Sequence, residues 1–294
     1  MNSSMISHLN LLPQSPERVV VIGSGGFVGG TLVKRLAQAT IPTLALGRAE
    51  VDLLAVGAAT TLADLLRPTD AVVAVAAIAP VKNAHMLADN MRIVTTITEA
   101  LGKVKVAHLV NISSDAVYAD GPLPLTERSP MAPASLHGAM HLARELAFGA
   151  EVAAPVANLR PTLIYGASDP HNGYGPNRFR RLANQGSNIV LFGEGEERRD
   201  HVYIDDVAEL ITLVLQHKSA GALNVATGHV NSFMEIAKAV VALSGNATAV
   251  TCLPREGPMP HNGYRPFDNT ICQQAFPKFR YTLLREGLRK AAGR

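Results

Sequence analysis

The chain has 294 residues, 47% of them hydrophobic and 17% charged, a balance that excludes a disordered or fibrous protein and suits one large α/β domain or a larger and a smaller one. A net charge of +3 is too small to point to nucleic acid. The two cysteines, Cys252 and Cys272, form neither a disulfide framework nor a metal-ligand pattern, so a reducing, cytoplasmic setting is expected.

Residues 1–16 read as an irregular extension, without the basic-then-apolar order of a secretory signal. A strand is expected over Arg18 to Ile22, then a helix over Gly26 to Ala39 with Leu32, Val33 and Leu36 on one side. Thr43 to Leu46 reads as a second strand. The longest apolar stretch, Ala71 to Val81, is too short to cross a bilayer and reads as a third, buried strand. A helix over Asn83 to Leu101, a strand over Val106 to Ile112, a helix over Ser135 to Gly149 and a strand over Val156 to Leu159 follow. Strands separated by helices of this length need crossover connections, which predicts a doubly wound parallel sheet with helices on both faces. After Arg160, Pro161, Gly166, Pro170, Gly173, Gly175, Pro176 and Gly186 break the pattern. The expected organisation is a first unit over 17–165, rejoined by about 200–228 with a helix near Asp205 to Gln216. A smaller, partly interleaved lobe is made of 166–199 and 229–294. Arg178, Arg180, Arg181, Arg198 and Arg199 cluster, either as a solvated face or as a site for a small polyanion such as a pyrophosphate.

The glycines of Arg18 to Gly29 fall at Gly23, Gly26 and Gly29, directly after a strand and opening a helix. Glycines there let the backbone approach a pyrophosphate, which the helix N-terminus stabilises through free N–H groups and its dipole. A dinucleotide is therefore expected, held by these glycines with Phe27 and Val28. The second strand ends in Gly47-Arg48. Arginine there suits the 2′-phosphate of NADP, which is favoured over NAD, although Glu50 just beyond could serve as the acid that binds a ribose hydroxyl.

The Gly-x-x-Gly-x-x-Gly spacing resembles the extended short-chain dehydrogenase/reductase family, also called the NAD-dependent epimerase/dehydratase family, and the similarity runs from about Arg18 to Leu288. The resemblance implies a Rossmann sheet and assigns Asp52 near the adenine, Ala76 and Ala77 beside the cofactor, Asn90 in the next helix and Ser113 to cofactor binding. Val110-Asn111-Ile112-Ser113-Ser114-Asp115-Ala116-Val117-Tyr118 is similar to the segment whose hydroxyl bonds the reacting sugar oxygen, which makes Ser114 catalytic. The resemblance places Asn177, Arg199 and Arg265 on the substrate, the two arginines on its diphosphate. It thus implies a nucleoside-diphosphate sugar and a 4-keto reduction or related reductase, epimerase or dehydratase step. It also implies a homodimer; that no nucleic-acid or membrane partner is expected follows from the small net charge and the short apolar stretches.

One departure stands at the centre. The family's Tyr-x-x-x-Lys pair is replaced by His137 and His141, while Gly138 and Glu145 keep the surrounding pattern, and no Tyr-x-x-x-Lys occurs elsewhere in the chain. Three readings follow. His137 is a general acid/base, titrating near pH 6.5 without a lysine to activate it, with His141 on the nicotinamide ribose. Alternatively the chain binds cofactor and nucleotide sugar but is catalytically silent. In the third, His137, His141 and Glu145 share a helical face and hold a metal, but no further ligand is identifiable and no metal is assigned.

Overall fold

A computed structural model of the protein describes residues 5–293; residues 1–4 of the expected extension lie outside it. The extension is not wholly irregular. Strand β1 (Ser7–His8) pairs antiparallel with a late strand, and His8 hydrogen-bonds Ser219 Oγ and the Ala275 carbonyl. The first repeat is β2 (Val19–Ile22), α1 (Phe27–Gln38) and β3 (Thr43–Leu46). All four residues of β2 are buried, alternating between two cores. Val19 and Val21 pack with Leu32 and Leu36 of α1 on one face, Val20 and Ile22 with the opposite layer. This is the continuous apolar run of a strand covered on both sides.

Helix α2 (Ala58–Leu65) follows, then β4 (Ala71–Ala74), α3 (Ala84–Lys103), β5 (His108–Ile112), α4 (Leu136–Glu151) and β6 (Val156–Pro161). The apolar stretch from Ala71 to Val81 is strand only as far as Ala74. The Val75 and Ala76 N–H groups both turn to the Ile22 carbonyl where β2 ends, and the chain leaves the sheet. Asn83 and Ser135 cap α3 and α4 by accepting from the Met86 and Gly138 N–H groups.

The remaining elements are β7 (Leu163–Tyr165), α5 (Pro176–Asn184), β8 (Ile189–Phe192), β9 (Arg198–Tyr203), α6 (Ile204–Gln216), β10 (Ser219–Val225), β11 (Val230–Ser232), α7 (Phe233–Ser244), β12 (Val250–Leu253), β13 (Tyr264–Arg265), α8 (Thr270–Ala275) and α9 (Leu284–Ala291). The large sheet has seven strands in the order β1-β10-β6-β5-β4-β2-β3, parallel except for β1. Helices α1 and α6 cover one face; α2, α3 and α4 cover the other. In the second region β9 is the hub, pairing with β7 and β13 in parallel and with β11 antiparallel, while β8 and β12 pair separately. Its core gathers Tyr165, Phe179, Leu191, Phe233 and Leu288. The boundary between the two regions is where the large cleft opens.

Candidate active site

A cleft of about 920 Å³ runs along the carboxyl ends of the parallel strands, the usual position for ligands of open α/β sheets. One end is lined by Leu46, Gly47, Arg48 and Asp52, the middle by Gly23, Gly26, Phe27, Val28, Ala76 and Ala77, and the far end by Asn177, Arg199 and His201. Ser113, Ser114, His137 and His141 lie on its wall between these ends. Gly23 adopts φ +96°, and a side chain there would strike the Ala76 backbone N at 2.6 Å. Gly29 lies behind the turn, where a Cβ would meet the Gly23 carbonyl at 2.2 Å; it lets helix and strand pack rather than touching the cleft. Helix α1 opens on Gly26 with no side-chain cap, so its first N–H groups remain available to an anion. The residues present suit a dinucleotide.

At the β3 end of the cleft, the Arg48 side chain is 81% exposed and reaches Asp52 Oδ2 at 3.4 Å. Glu50 accepts the Gly47 N–H at 2.7 Å and caps its own turn. Asn90 is buried behind the wall. Its amide is spent on the Ile78 N–H and carbonyl and the Met86 carbonyl, bracing the loop that carries Ala76 and Ala77.

Helix α4 delivers the two histidines. Its start presses on the 3-10 turn Asp115–Val117, since a Cβ on Gly138 would stand 2.1 Å from the Ala116 carbonyl. That contact sets His137 against the segment of Ser114, whose Oγ caps the turn by accepting the Ala116 N–H at 3.1 Å. The two imidazoles meet edge to face, centroids 4.7 Å apart and planes at 90°. Nδ1 of each is buried without a hydrogen-bond partner among the described residues. Burial holds His137 below the usual histidine range, opposed by the nearby Asp115 carboxylate. His141 is held well below it, first by burial and then by His137 and Arg144. Both rings are therefore neutral at pH 7.

Glu145, the third member of the supposed metal face, is already committed. Its oxygens accept from Arg160 at 2.9 and 2.6 Å and from Ser113 Oγ at 2.5 Å. Arg160 also donates to Tyr118 Oη. Ser113 thus reaches the cleft wall but donates its hydrogen bond to Glu145.

The arginine cluster divides. Arg199 lines the cleft and sits 3.4 Å from Glu197. Arg180 and Arg181 are used on loop carbonyls, and Arg178 is exposed. Arg265 is not brought to the cleft with Arg199. It is 3% exposed, bonding the Asp115 carboxylate at 3.1 Å, the Asp115 carbonyl at 2.7 Å and Asp120, which also holds His261. Its strand neighbours Arg199 in register, but its forked donors are already filled. Asn177 lines the cleft while its Oδ1 accepts the Gly166 N–H at 3.0 Å.

The sequence reading missed Asp115, Arg144, His201 and His261. Asp115 had a signal, its place beside Ser114. His201 had one too, two positions past Arg199 in the same segment; its ring is 4% exposed and depressed to about 3 by burial and by Arg199.

The model of the NAD dependent epimerase/dehydratase family matches residues 19–226. The chain belongs to that family. Solved structures of similar fold include the Thermus thermophilus UDP-glucose 4-epimerase in complex with NAD, at 24% identity and TM-score 0.78 over 94% of this chain and 98% of that one. The Bacillus cereus UDP-glucuronic acid 4-epimerase, in complex with UDP-glucuronic acid and NAD, aligns at 19% identity and TM-score 0.80 over 94% and 98%. A GDP-L-fucose synthetase from Naegleria fowleri aligns at 17% and 0.83 over 99% and 96%. Among the described residues no helix is long and apolar enough to cross a membrane.

Proposed function

We propose that the protein is an oxidoreductase of this family that moves hydride between a nicotinamide cofactor, NADP in preference to NAD, and a carbinol or keto carbon of a nucleoside-diphosphate sugar. The observation that carries the reading is the grouping of Ser114, His137 and His141 on one wall, between the glycine turn and Arg199. Bound there, a nicotinamide supplies the hydride acceptor or donor. Ser114 Oγ hydrogen-bonds the reacting oxygen. His137, neutral at pH 7, takes the hydroxyl proton as the C–H hydride leaves and the C=O bond forms, and it returns that proton when the hydride comes back. The Asp115 carboxylate favours the imidazolium formed in between. This charge state suits oxidation of a hydroxyl followed by re-reduction, as in an epimerase, at least as well as a single keto reduction. His141 bonds the nicotinamide ribose through a ring nitrogen, and Arg199 binds the diphosphate.

The NADP preference rests on Arg48 at the end of β3. Arg48→Ala is expected to weaken NADPH binding about tenfold and to leave NADH binding unchanged. Equal effects on both would refute the preference. Two free cysteines, one buried, support a cytoplasmic setting. A homodimer is supported by Leu136 and Leu146 of α4, 40% and 50% exposed; sedimentation of a monomer at micromolar concentration would rule it out.

The test of function is a titration with NADPH and NADH, then a panel of keto and hydroxy sugar nucleotides assayed both for change in the 340 nm absorbance and, because an epimerase returns its hydride with no net absorbance change, for the product sugar nucleotide by NMR. Saturable binding, turnover and its loss in His137→Ala are expected. Binding without turnover on any substrate supports the silent relative instead, a reading favoured by the commitment of Arg265 to two carboxylates.

A further inference from the structure

Arg144 lies three residues past His141 on α4 and is 1% exposed. Its guanidinium donates to Asn111 Oδ1 at 2.6 Å, to the Ala76 carbonyl at 2.6 Å and to the Ala74 carbonyl at 2.5 Å. The acceptors are neutral, and no ion pair involving Arg144 occurs among the described residues. Contrast Arg160 in the neighbouring strand, which is equally buried but bonded to a carboxylate. A buried cation without a carboxylate is costly, even with its donors satisfied. Burial presses the Arg144 guanidinium down to about 10, and it stays charged at neutral pH.

The place of this charge is specific. Ala74 ends β4, and Ala76 is the residue against which Gly23 packs and which lines the cleft. The guanidinium therefore stands directly behind the wall, on the same helix as the imidazole pair. We propose that Arg144 is a positioning residue that carries the fixed positive charge of this site from behind the wall, leaving His141 to act as an uncharged hydrogen-bonding group.

The other groups around His141 do not supply that charge. On α4 itself the neighbours are His137, a neutral ring, and Glu145, bonded to Arg160. The 3-10 turn contributes Asp115, bonded to Arg265, and its charge acts on His137. Strand β6 contributes Arg160, closed by Glu145. Helix α3 packs against α4 with Asn90 and Thr98 as its buried polar residues, both uncharged. Arg144 is the cation in this set whose charge no carboxylate offsets. The role at the ribose rests on the functional reading above, but the charge coupling does not.

The experiment is a ¹H–¹³C NMR titration of the imidazole Cε1–H signals without cofactor or sugar, assigned with His137→Gln and His141→Gln, so it succeeds or fails independently of hydride transfer. In the wild type His141 titrates below His137 and below 6.5. In Arg144→Gln, which keeps N–H donors for the carbonyls but removes the charge, the His141 titration rises measurably but stays below 6.5, because burial, the larger cause of its depression, remains. Arg144→Met behaves likewise, and Arg144→Lys retains the wild-type value. A wild-type His141 titrating at or above 6.5 overturns the proposal, even if no variant folds. An unchanged titration in the Gln variant, or a Lys variant that follows Gln, also overturns it.

Discussion

Gly138 and Gly149 occupy the same helix in opposite surroundings, so replacing each with alanine isolates one contact. A Cβ on Gly138 would lie 2.1 Å from the Ala116 carbonyl and 2.7 Å from Pro133 Cβ, whereas one on Gly149 would meet nothing within 4 Å. Both substitutions gain the same helix propensity, up to about 1 kcal/mol. Gly149→Ala should therefore be stabilised by about 0.5–1 kcal/mol. Gly138→Ala carries in addition the cost of overpacking, typically about 1–3 kcal/mol. The upper part of that range applies because the obstacle is a backbone carbonyl that cannot rotate away. The alanine variant at 138 should thus be less stable than the one at 149 by about 2–3 kcal/mol in urea denaturation. Relief of the clash requires α4 and the Ser114 turn to part by about 1 Å, a displacement that costs on the order of 100-fold in rate for a reacting pair. Two variants within about 0.5 kcal/mol of each other would mean that this contact does not fix the position of His137.

Three further outcomes are expected. His108, 2% exposed and pushed down to about 4 mainly by burial, has a folded value below its unfolded one. Its stabilising share is therefore complete above pH 6.5 and is lost as pH falls toward 4, about 3 kcal/mol in all. Asp200, raised to about 6, acts in the opposite sense, but it cancels when wild type is compared with His108→Gln, whose urea stability should fall less steeply over that window; parallel slopes would contradict the assignment. Glu145→Leu removes the carboxylate from a pair whose side chains are 5% and 0% exposed. It should cost about 3–5 kcal/mol, and Glu145→Leu with Arg160→Met should recover part of that loss; a strictly additive double variant would show that the two do not interact. Ser114→Ala should lower kcat by about 100-fold with little change in cofactor affinity, and an equal loss in both would point to a collapsed turn instead.

The first half of the fold was legible because its strands are short, unbroken apolar runs between helices of strong period, as in β2 and α1. The end of β4 was not legible, since the apolar sequence continues to Val81 and only the shared Ile22 carbonyl marks where pairing stops. Helix α2 and the β8–β12 pair were missed: α2 opens on Gly57 with no capping side chain, and the second pair joins residues some sixty positions apart. In the site, the motif order brought Ser114, His137 and His141 to one wall. Arg144 escaped the sequence reading, and Arg265 was expected on the substrate's diphosphate rather than on Asp115 and Asp120, for a common reason. Their partners are carboxylates about 150 positions away in one case and backbone carbonyls in the other, and neither leaves a local pattern.

The position of β9 has a bearing on how the chain matures. Once residue 225 has left the ribosome, every parallel strand of the large sheet exists, together with Ser114, His137 and His141. At that moment β9 has only β7 beside it, because β11 and β13 are supplied by residues 230–232 and 264–265. The wall that carries Arg199 thus stays incomplete until residue 265 is made, and until then its open strand edge can pair with another chain.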